Sequence, residues 1–392
     1  MKKKVLIIDD SALMRRMWRD IIDTDDRFEA GDIAVNGAEG FKRIVAGNYD
    51  AVVLDVYMPQ MTGLEMLEEM QKSNVRANVL MASTTTREGA RETLTALELG
   101  AIDFITKPEN VADTRNESFR KRFLELLWVV SNANPTADRK PKPSVTAAPK
   151  TFVARYDVNF HTLPQEKQEK QDKQVAPEVK PAPAPSVPKP ATVNYPKGRG
   201  RKIVAIASST GGPKALQQVI PKLPGNLCAP VLLVQHMPKG FTLSLAEHLN
   251  EQSDIVVEEA KENTRLENGH VYIAQGGKHL KAAYRNNGYF LQCTDEPTRE
   301  GVKPCANYMY ESLIDSVFDE VVCVVMTGMG SDGTEGIVNL SKSNKKIHVI
   351  AQNEDTCTVY GMPRSIVQAG LADDIVPLEE VAEQIIKEVG VQ

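Results

Sequence analysis

The sequence predicts an α/β protein built from two doubly wound parallel-sheet domains joined by a long disordered linker. Three observations carry this reading. Strand-like apolar runs alternate with helical patterns in residues 1–132 (VLIID, AVVLDV, ANVLMAS, AIDFIT). They do so again in residues 201–392 (KIVAIA, VLLVQ, VVCVVM, KIHVIAQ), and such alternation is the signature of a parallel sheet covered by helices. Between them, residues 133–200 hold 12 of the chain's 23 prolines, Pro135 to Pro196, amid Lys, Gln, Glu and Ala. That composition buries too little apolar surface to offset its chain entropy.

Whole-chain properties narrow the class. With 392 residues and 42% hydrophobic content the chain is long enough for two ordinary cores. A net charge of −5 leaves no basic footprint for nucleic acid. Cys228, Cys293, Cys305, Cys323 and Cys357 are odd in number, lack CxxC spacing and mostly sit in apolar runs, so reduced thiols in the cytoplasm are expected. MKKKVLIIDD is too short in its apolar part for a signal peptide, and no run reaches membrane-spanning length.

In the first domain Asp9 and Asp10 follow the first strand and Asp55 ends AVVLD. Ser83 follows VLMA, and Lys107 follows DFIT. The carboxyl ends of parallel strands line one crevice, so these residues are expected to meet there. Three carboxylates around one pocket repel each other unless a cation is present, and Mg²⁺ suits hard oxygen ligands. A carboxylate also serves as a phosphoryl acceptor, with Lys107 as the positive partner. Each Asp alone is equally a turn or cap residue. Together, IIDDSALMRR, LDVYMPQMTGLEML, MASTTT and ALELGAIDFITKP resemble the receiver domain of two-component response regulators. The resemblance implies Asp55 as phosphoacceptor, Asp9 and Asp10 with it as Mg²⁺ ligands, and Lys107 as phosphate partner. It also implies Ser83 as switch hydroxyl and Phe104 as switch aromatic.

In the second domain ASSTGGPKAL follows the strand KIVAI and reads as strand, tight turn and helix start. Ser209 thus stands where backbone N–H groups point outward, suited to an oxyanion. Of six histidines only His236, in VLLVQHMP, falls at a strand's carboxyl end, and Asp332 lies just beyond VVCVVM. The three meet the requirements of a nucleophile, its base and an orienting carboxylate. On residues alone, a helix cap for Ser209, a hydrogen-bonded strand end for His236 and a turn for Asp332 stay open. GMGSDG, residues 328–333, also fits a dinucleotide fingerprint, with Glu354 or Asp355 some twenty residues on. It comes late in its domain, after two earlier strands. A β-rich excursion (DIVVEEA, HVYIA, KHLKAAY, YFLQC) is expected to interrupt the domain between residues 254 and 293.

AIASSTGGPKAL, LLVQHMPKGFT, HVYIAQGG and VVMTGMGSDGTEG resemble the catalytic domain of chemotaxis protein-glutamate methylesterases. The resemblance implies Ser209 as nucleophile, rather than Ser208, with His236 as base and Asp332 as its orienter. Met329 N–H is then an oxyanion donor and Thr210 a supporting hydroxyl. It further implies hydrolysis of glutamate methyl esters, and deamidation of glutamines, on chemoreceptor cytoplasmic domains. The phosphodonor is a histidine kinase, and the catalytic domain needs no cofactor. The family's linker is usually short. A flexible coil of about 65 residues spans on the order of 45 Å, which weakens the receiver's hold on the active site. TFVARYDVNF, residues 151–160, alternates apolar residues and is expected to dock on one of the domains as a strand.

Overall fold

The computed structural model describes residues 1–108, 116–133, 201–285 and 288–392; the segment 151–160 lies outside them. The first domain runs β1 (Lys3–Ile8), α1 (Ala12–Ile22), β2 (Phe28–Ala34), α2 (Gly37–Ala46), β3 (Ala51–Asp55), α3 (Gly63–Lys72), β4 (Val79–Ser83), α4 (Arg87–Glu98), β5 (Asp103–Thr106), α5 (Glu117–Asn132). Its strands pair in the order β2-β1-β3-β4-β5, all parallel. β3 and β4 are buried along their whole length because helices cover both faces. One face packs under α1 and α5, where Trp18 meets Phe123 with ring centroids 4.7 Å apart. Each helix begins at a Ser, Thr or Asn that accepts a backbone N–H: Ser11, Asn36, Thr62, Thr86 and Asn116.

The second domain starts with β6 (Lys202–Ser208), α6 (Gly212–Val219), β7 (Val231–Gln235), α7 (Phe241–Glu251), β8 (Val256–Glu259) and β9 (His270–Ile273). After the hairpin β10 (His279–Arg285) and β11 (Gly288–Thr294) come α8 (Ala306–Glu311), β12 (Glu320–Val325), α9 (Thr334–Ser341) and β13 (Lys346–Gln352). α10 (Met362–Gln368), β14 (Asp374–Val376) and α11 (Val381–Val389) complete it. The parallel sheet has the order β14-β13-β12-β6-β7-β9-β8. The expected β excursion is therefore only half an excursion. β8 and β9 extend the main sheet, and only β10 and β11 leave it as an antiparallel pair.

Both sheets reverse direction at their centre: between β1 and β3 in the first, and between β6 and β12 in the second. Crevices at such switch points, outside the carboxyl ends of the strands, are where open α/β sheets hold ligands. Both groups of candidate residues stand at the carboxyl ends of those strands or of others in the same sheets.

The two domains pack on each other. One apolar cluster runs from Met66, Leu94 and Phe104 of the first domain to Leu216, Met237 and Phe241 of the second. Phe104 stacks on Phe241 at 4.5 Å between centroids. Around this stack Arg87 and Arg91 pair with Glu247, and Glu98 Oε1 meets His248 Nε2 at 2.5 Å.

Gly63 opens α3 directly under the end of β3. A Cβ there would lie 2.2 Å from the Asp55 carbonyl oxygen, a backbone atom that cannot turn aside. Gly63→Ala should destabilise the first domain by about 1–3 kcal/mol. Urea unfolding followed by tryptophan fluorescence reads this domain alone, since both tryptophans, Trp18 and Trp128, lie in it.

Candidate functional site

In the first domain the expected residues meet at the ends of β1, β3, β4 and β5. Carboxylate oxygens of Asp9, Asp10 and Asp55 lie within 4.8 Å of one another. Lys107 Nζ sits 2.7 Å from Asp55 Oδ2 and 2.9 Å from Asp9 Oδ2. Burial pushes the Asp55 carboxyl up to about 6; the Lys107 ammonium opposes this and the Asp9 carboxylate adds to it. Asp9 Oδ2 is buried and receives no directed hydrogen bond. Three crowded carboxylates, with Asp55 raised by burial, fit a hard divalent cation. Ser83 is fully buried, its Oγ donating to Gly89 O at 3.1 Å and accepting from Thr93 Oγ1 at 2.6 Å. Its hydroxyl is thus tied to α4, the helix that faces the second domain. Phe104 lies in the domain contact described above.

In the second domain Ser209, His236 and Asp332 follow β6, β7 and β12, three neighbouring strands, and line one cleft of about 670 Å³. Ser209 is not a helix cap. The N-cap of α6 is Gly211, at φ 76°, and no side chain caps that helix. Ser209 Oγ has no hydrogen-bond partner among the described residues. Ser208 differs sharply. It is fully buried and donates to Gln235 Oε1 at 2.7 Å, while Gln235 Nε2 donates to the Ser209 carbonyl at 2.9 Å. Gln235 therefore turns Ser208 inward and holds the Ser209 backbone.

His236 Nε2 lies 2.7 Å from Asp332 Oδ2. The carboxylate also accepts from Ala306 N–H at 2.6 Å, Asn307 N–H at 3.0 Å and Cys305 Sγ at 3.0 Å. Burial raises the Asp332 carboxyl, but the His236 bond and charge, with Cys305 and Ala306, outweigh it and hold the group below its ordinary range. An ionised Asp332 can only accept, so His236 Nε2 carries the proton and Nδ1 is left as the basic nitrogen. This reverses the ring assignment familiar from serine proteases, where Nδ1–H faces the carboxylate.

Asp332 is more than a turn residue. It caps α8, whose N-cap Cys305 makes no cap bond of its own. Asn307 returns the favour to α9, accepting from Gly333 N–H at 3.1 Å and Gly336 N–H at 2.6 Å. Cys305 and Asn307 escaped the sequence reading because they stand some 26 residues from their partners and no spacing rule links them. Met329 lines the cleft with its N–H free of any acceptor among the described residues. Gly328 lets this loop approach closely, since a Cβ there would lie 2.4 Å from Met362 Sδ and 2.8 Å from Ser209 Cβ.

The first domain forms one wall of this cleft through Asp103, Phe104, Arg122 and Leu126. Thr210 Oγ1 donates to Asp103 Oδ2 at 2.5 Å, directly beside Ser209. Burial raises the Asp103 carboxyl while the Thr210 bond opposes it. The GMGSDG turn is committed to holding Asp332 and approaching Ser209. No helix among the described residues is long and apolar enough to cross a membrane.

Residues 5–117 match the family described as response regulator receiver domain, and residues 204–385 match the family described as CheB methylesterase. The chain is 39% identical over 382 residues to the protein-glutamate methylesterase/protein-glutamine glutaminase of Bacillus subtilis, covering 97% of each chain. It is 36% identical over 392 residues to protein-glutamate methylesterase/protein-glutamine glutaminase 1 of Syntrophomonas wolfei, covering 98% of this chain and 99% of that one. Among solved structures, the CheB methylesterase catalytic domain of Thermotoga maritima is 38% identical with a TM-score of 0.47, covering 49% of this chain and all of that one. The response regulator domain of the same protein is 34% identical with a TM-score of 0.31, covering 34% of this chain and all of that one. With both domains matched in order and near-complete alignment to the curated relatives, the chain belongs to the protein-glutamate methylesterase/protein-glutamine glutaminase family of chemotaxis enzymes.

Proposed function

We propose that this chain is a cytoplasmic response regulator that hydrolyses γ-glutamyl methyl esters, and deamidates glutamines, on chemoreceptor signalling domains. The observation that carries the reading is the meeting of Ser209, His236 and Asp332 at three adjacent strand ends in one cleft, with His236 Nε2 bonded to Asp332. His236 Nδ1 takes the Ser209 proton as Oγ attacks the ester carbonyl. Met329 N–H stabilises the oxyanion, and Thr210 supports the turn. Methanol leaves with the proton from His236, and water hydrolyses the acyl-enzyme. The Ser209–His236 hydrogen bond is of the kind that tightens when substrate binds. An amide substrate changes only the leaving group.

Control comes from the receiver. Asp55 accepts phosphoryl from a histidine kinase; Mg²⁺ held by Asp9, Asp10 and Asp55 would neutralise charge there, and Lys107 pairs with the new phosphate. Ser83 and Phe104 carry the change to α4 and the domain contact. In the unphosphorylated state the Asp103–Thr210 bond and the Phe104–Phe241 stack hold the receiver over Ser209. This contact supplies the closeness that a long tether lacks.

Ser209→Ala and His236→Ala should each lower methanol release from methylated receptor membranes by about 10⁴-fold or more, with the double variant little worse than either. Ser208→Ala should retain activity. Loss in Ser208→Ala with normal turnover in Ser209→Ala would sink the assignment. Asp55→Asn should take no label from small phosphodonors and should stay at the basal rate when they are added. Undiminished labelling of that variant would defeat the receiver reading.

The Asp332 environment also sets a pH dependence. A carboxyl whose folded pKa is depressed contributes stability that is present above its unfolded value, about 3.9, and lost as pH falls through the folded one. The difference in unfolding free energy between wild type and Asp332→Asn should shrink as pH falls below about 4, as Asp332 takes up a proton. Denaturant titrations across that window read it directly.

A further inference from the structure

A second histidine stands behind Asp332. His279 opens β10 and is fully buried. Its Nε2 lies 3.2 Å from the Glu296 carbonyl oxygen and 3.1 Å from that of Pro297. Its Nδ1 lies 3.2 Å from Cys305 N–H. Carbonyl oxygens only accept, so Nε2 must carry a proton. A backbone N–H only donates, so Nδ1 must be bare. Both neighbours therefore demand one state, the neutral Nε2–H tautomer. Burial holds the ring's pKa below its ordinary value; the Pro297 carbonyl opposes this, Lys303 adds to it, and Glu296 opposes it through carbonyl and charge. The Tyr308 ring closes over the imidazole at 4.5 Å between centroids.

Cys305 is where α8 begins, and that beginning aims Cys305 Sγ, Ala306 N–H and Asn307 N–H at Asp332. Without a side-chain cap of its own, this turn is held from outside, by Asp332 on one side and His279 on the other. We propose that His279 is a positioning residue for the Ser209 site. Its Nδ1 lone pair fixes Cys305, the N-cap of α8, so that three donors stay trained on Asp332 and Asp332 in turn holds His236 with Nδ1 toward Ser209. This rests on the Ser209–His236–Asp332 reading above. His279 touches neither substrate nor the reacting atoms.

The two conservative amides separate its two nitrogens. In His279→Asn the side-chain oxygen sits near the Nδ1 position and can still accept from Cys305 N–H. In His279→Gln the amide nitrogen reaches the Nε2 position and still donates to the two carbonyls, but nothing accepts at Nδ1. The full-length protein is assayed for kcat and KM on methylated receptor membranes, for Ser209 labelling by a fluorophosphonate, and for thermal midpoint. His279→Gln should lower kcat and the labelling rate by about 10²-fold, the size expected of an ångström-scale misplacement, with KM within about twofold of wild type. His279→Asn should recover most of both rates, although the two variants lose similar thermal stability.

Equal losses in the two variants, tracking stability, would overturn the proposal, as would a wild-type kcat in His279→Gln. Ser209→Ala is run alongside. If it keeps turnover, the triad reading itself fails; if it is inactive while His279→Gln is normal, only the role of His279 fails. Should neither histidine variant fold, the imidazole ¹⁵N spectrum of the wild-type protein decides. A protonated Nε2 and bare Nδ1 on His279 at neutral pH support the proposal, and the opposite tautomer overturns it.

Discussion

The second domain is organised around one buried carboxylate. Asp332 is 3% exposed, and an ionised carboxyl placed there without partners would cost several kcal/mol or take up a proton. It is tolerated because four donors converge on it: two backbone N–H groups of α8, a thiol and an imidazole. The helix N-terminus adds a favourable dipole at no further cost in side-chain entropy. Each carboxylate oxygen is met by two of these donors, so losing one removes a charge-assisted bond, at about 1.5–3 kcal/mol, rather than orphaning the acceptor. The arrangement therefore constrains α8, the loop after β12 and the loop after β7 together. A histidine held this way has one tautomer and one orientation.

The contact between the domains is decided by apolar packing rather than by its ion pairs. Arg87 and Arg91 have side chains 61% and 60% exposed, and pairs of that kind contribute about 0–1 kcal/mol. The Phe104–Phe241 stack buries both rings, Phe104 to 6% exposure and Phe241 fully. It is worth about 1.5–3 kcal/mol per ring in burial, with about 0.5–1.5 kcal/mol more from ring geometry. Ions around the rim set orientation, while the stack holds the surfaces. The hold is local and modest. Phe104 lies on β5, two strands from Asp55 through β4.

Much was legible from the one-dimensional pattern because strand ends in a parallel sheet are predictable meeting points. Apolar runs located β1, β3, β4, β5, β6, β7 and β12, and the candidates Asp9, Asp55, Ser83, Lys107, Ser209, His236 and Asp332 stand at or soon after their ends. The resemblance implied Ser209 rather than Ser208, and the two serines differ in the fold: Ser208 is tied to Gln235. Alternation of side chains along a strand sends Ser208 inward, where that amide receives it. The excursion after α7 was half misread because β8 and β9 are short, and four-residue strands carry the same pattern whether they extend a parallel sheet or form a hairpin.

Local sequence thus specified which residue types stand at which strand ends, since hydrophobic period and turn chemistry are properties of neighbouring residues. It held no trace of the His279–Cys305–Asp332 chain, the reciprocal capping by Asn307 or the Phe104–Phe241 stack. Those join residues 25 or more positions apart, or on different domains, and each depends on where a helix start or a sheet face comes to rest after packing. The ring nitrogen that Asp332 holds is of the same kind. The residue identities permit either arrangement, and in the folded protein Nε2 is the nitrogen at Asp332.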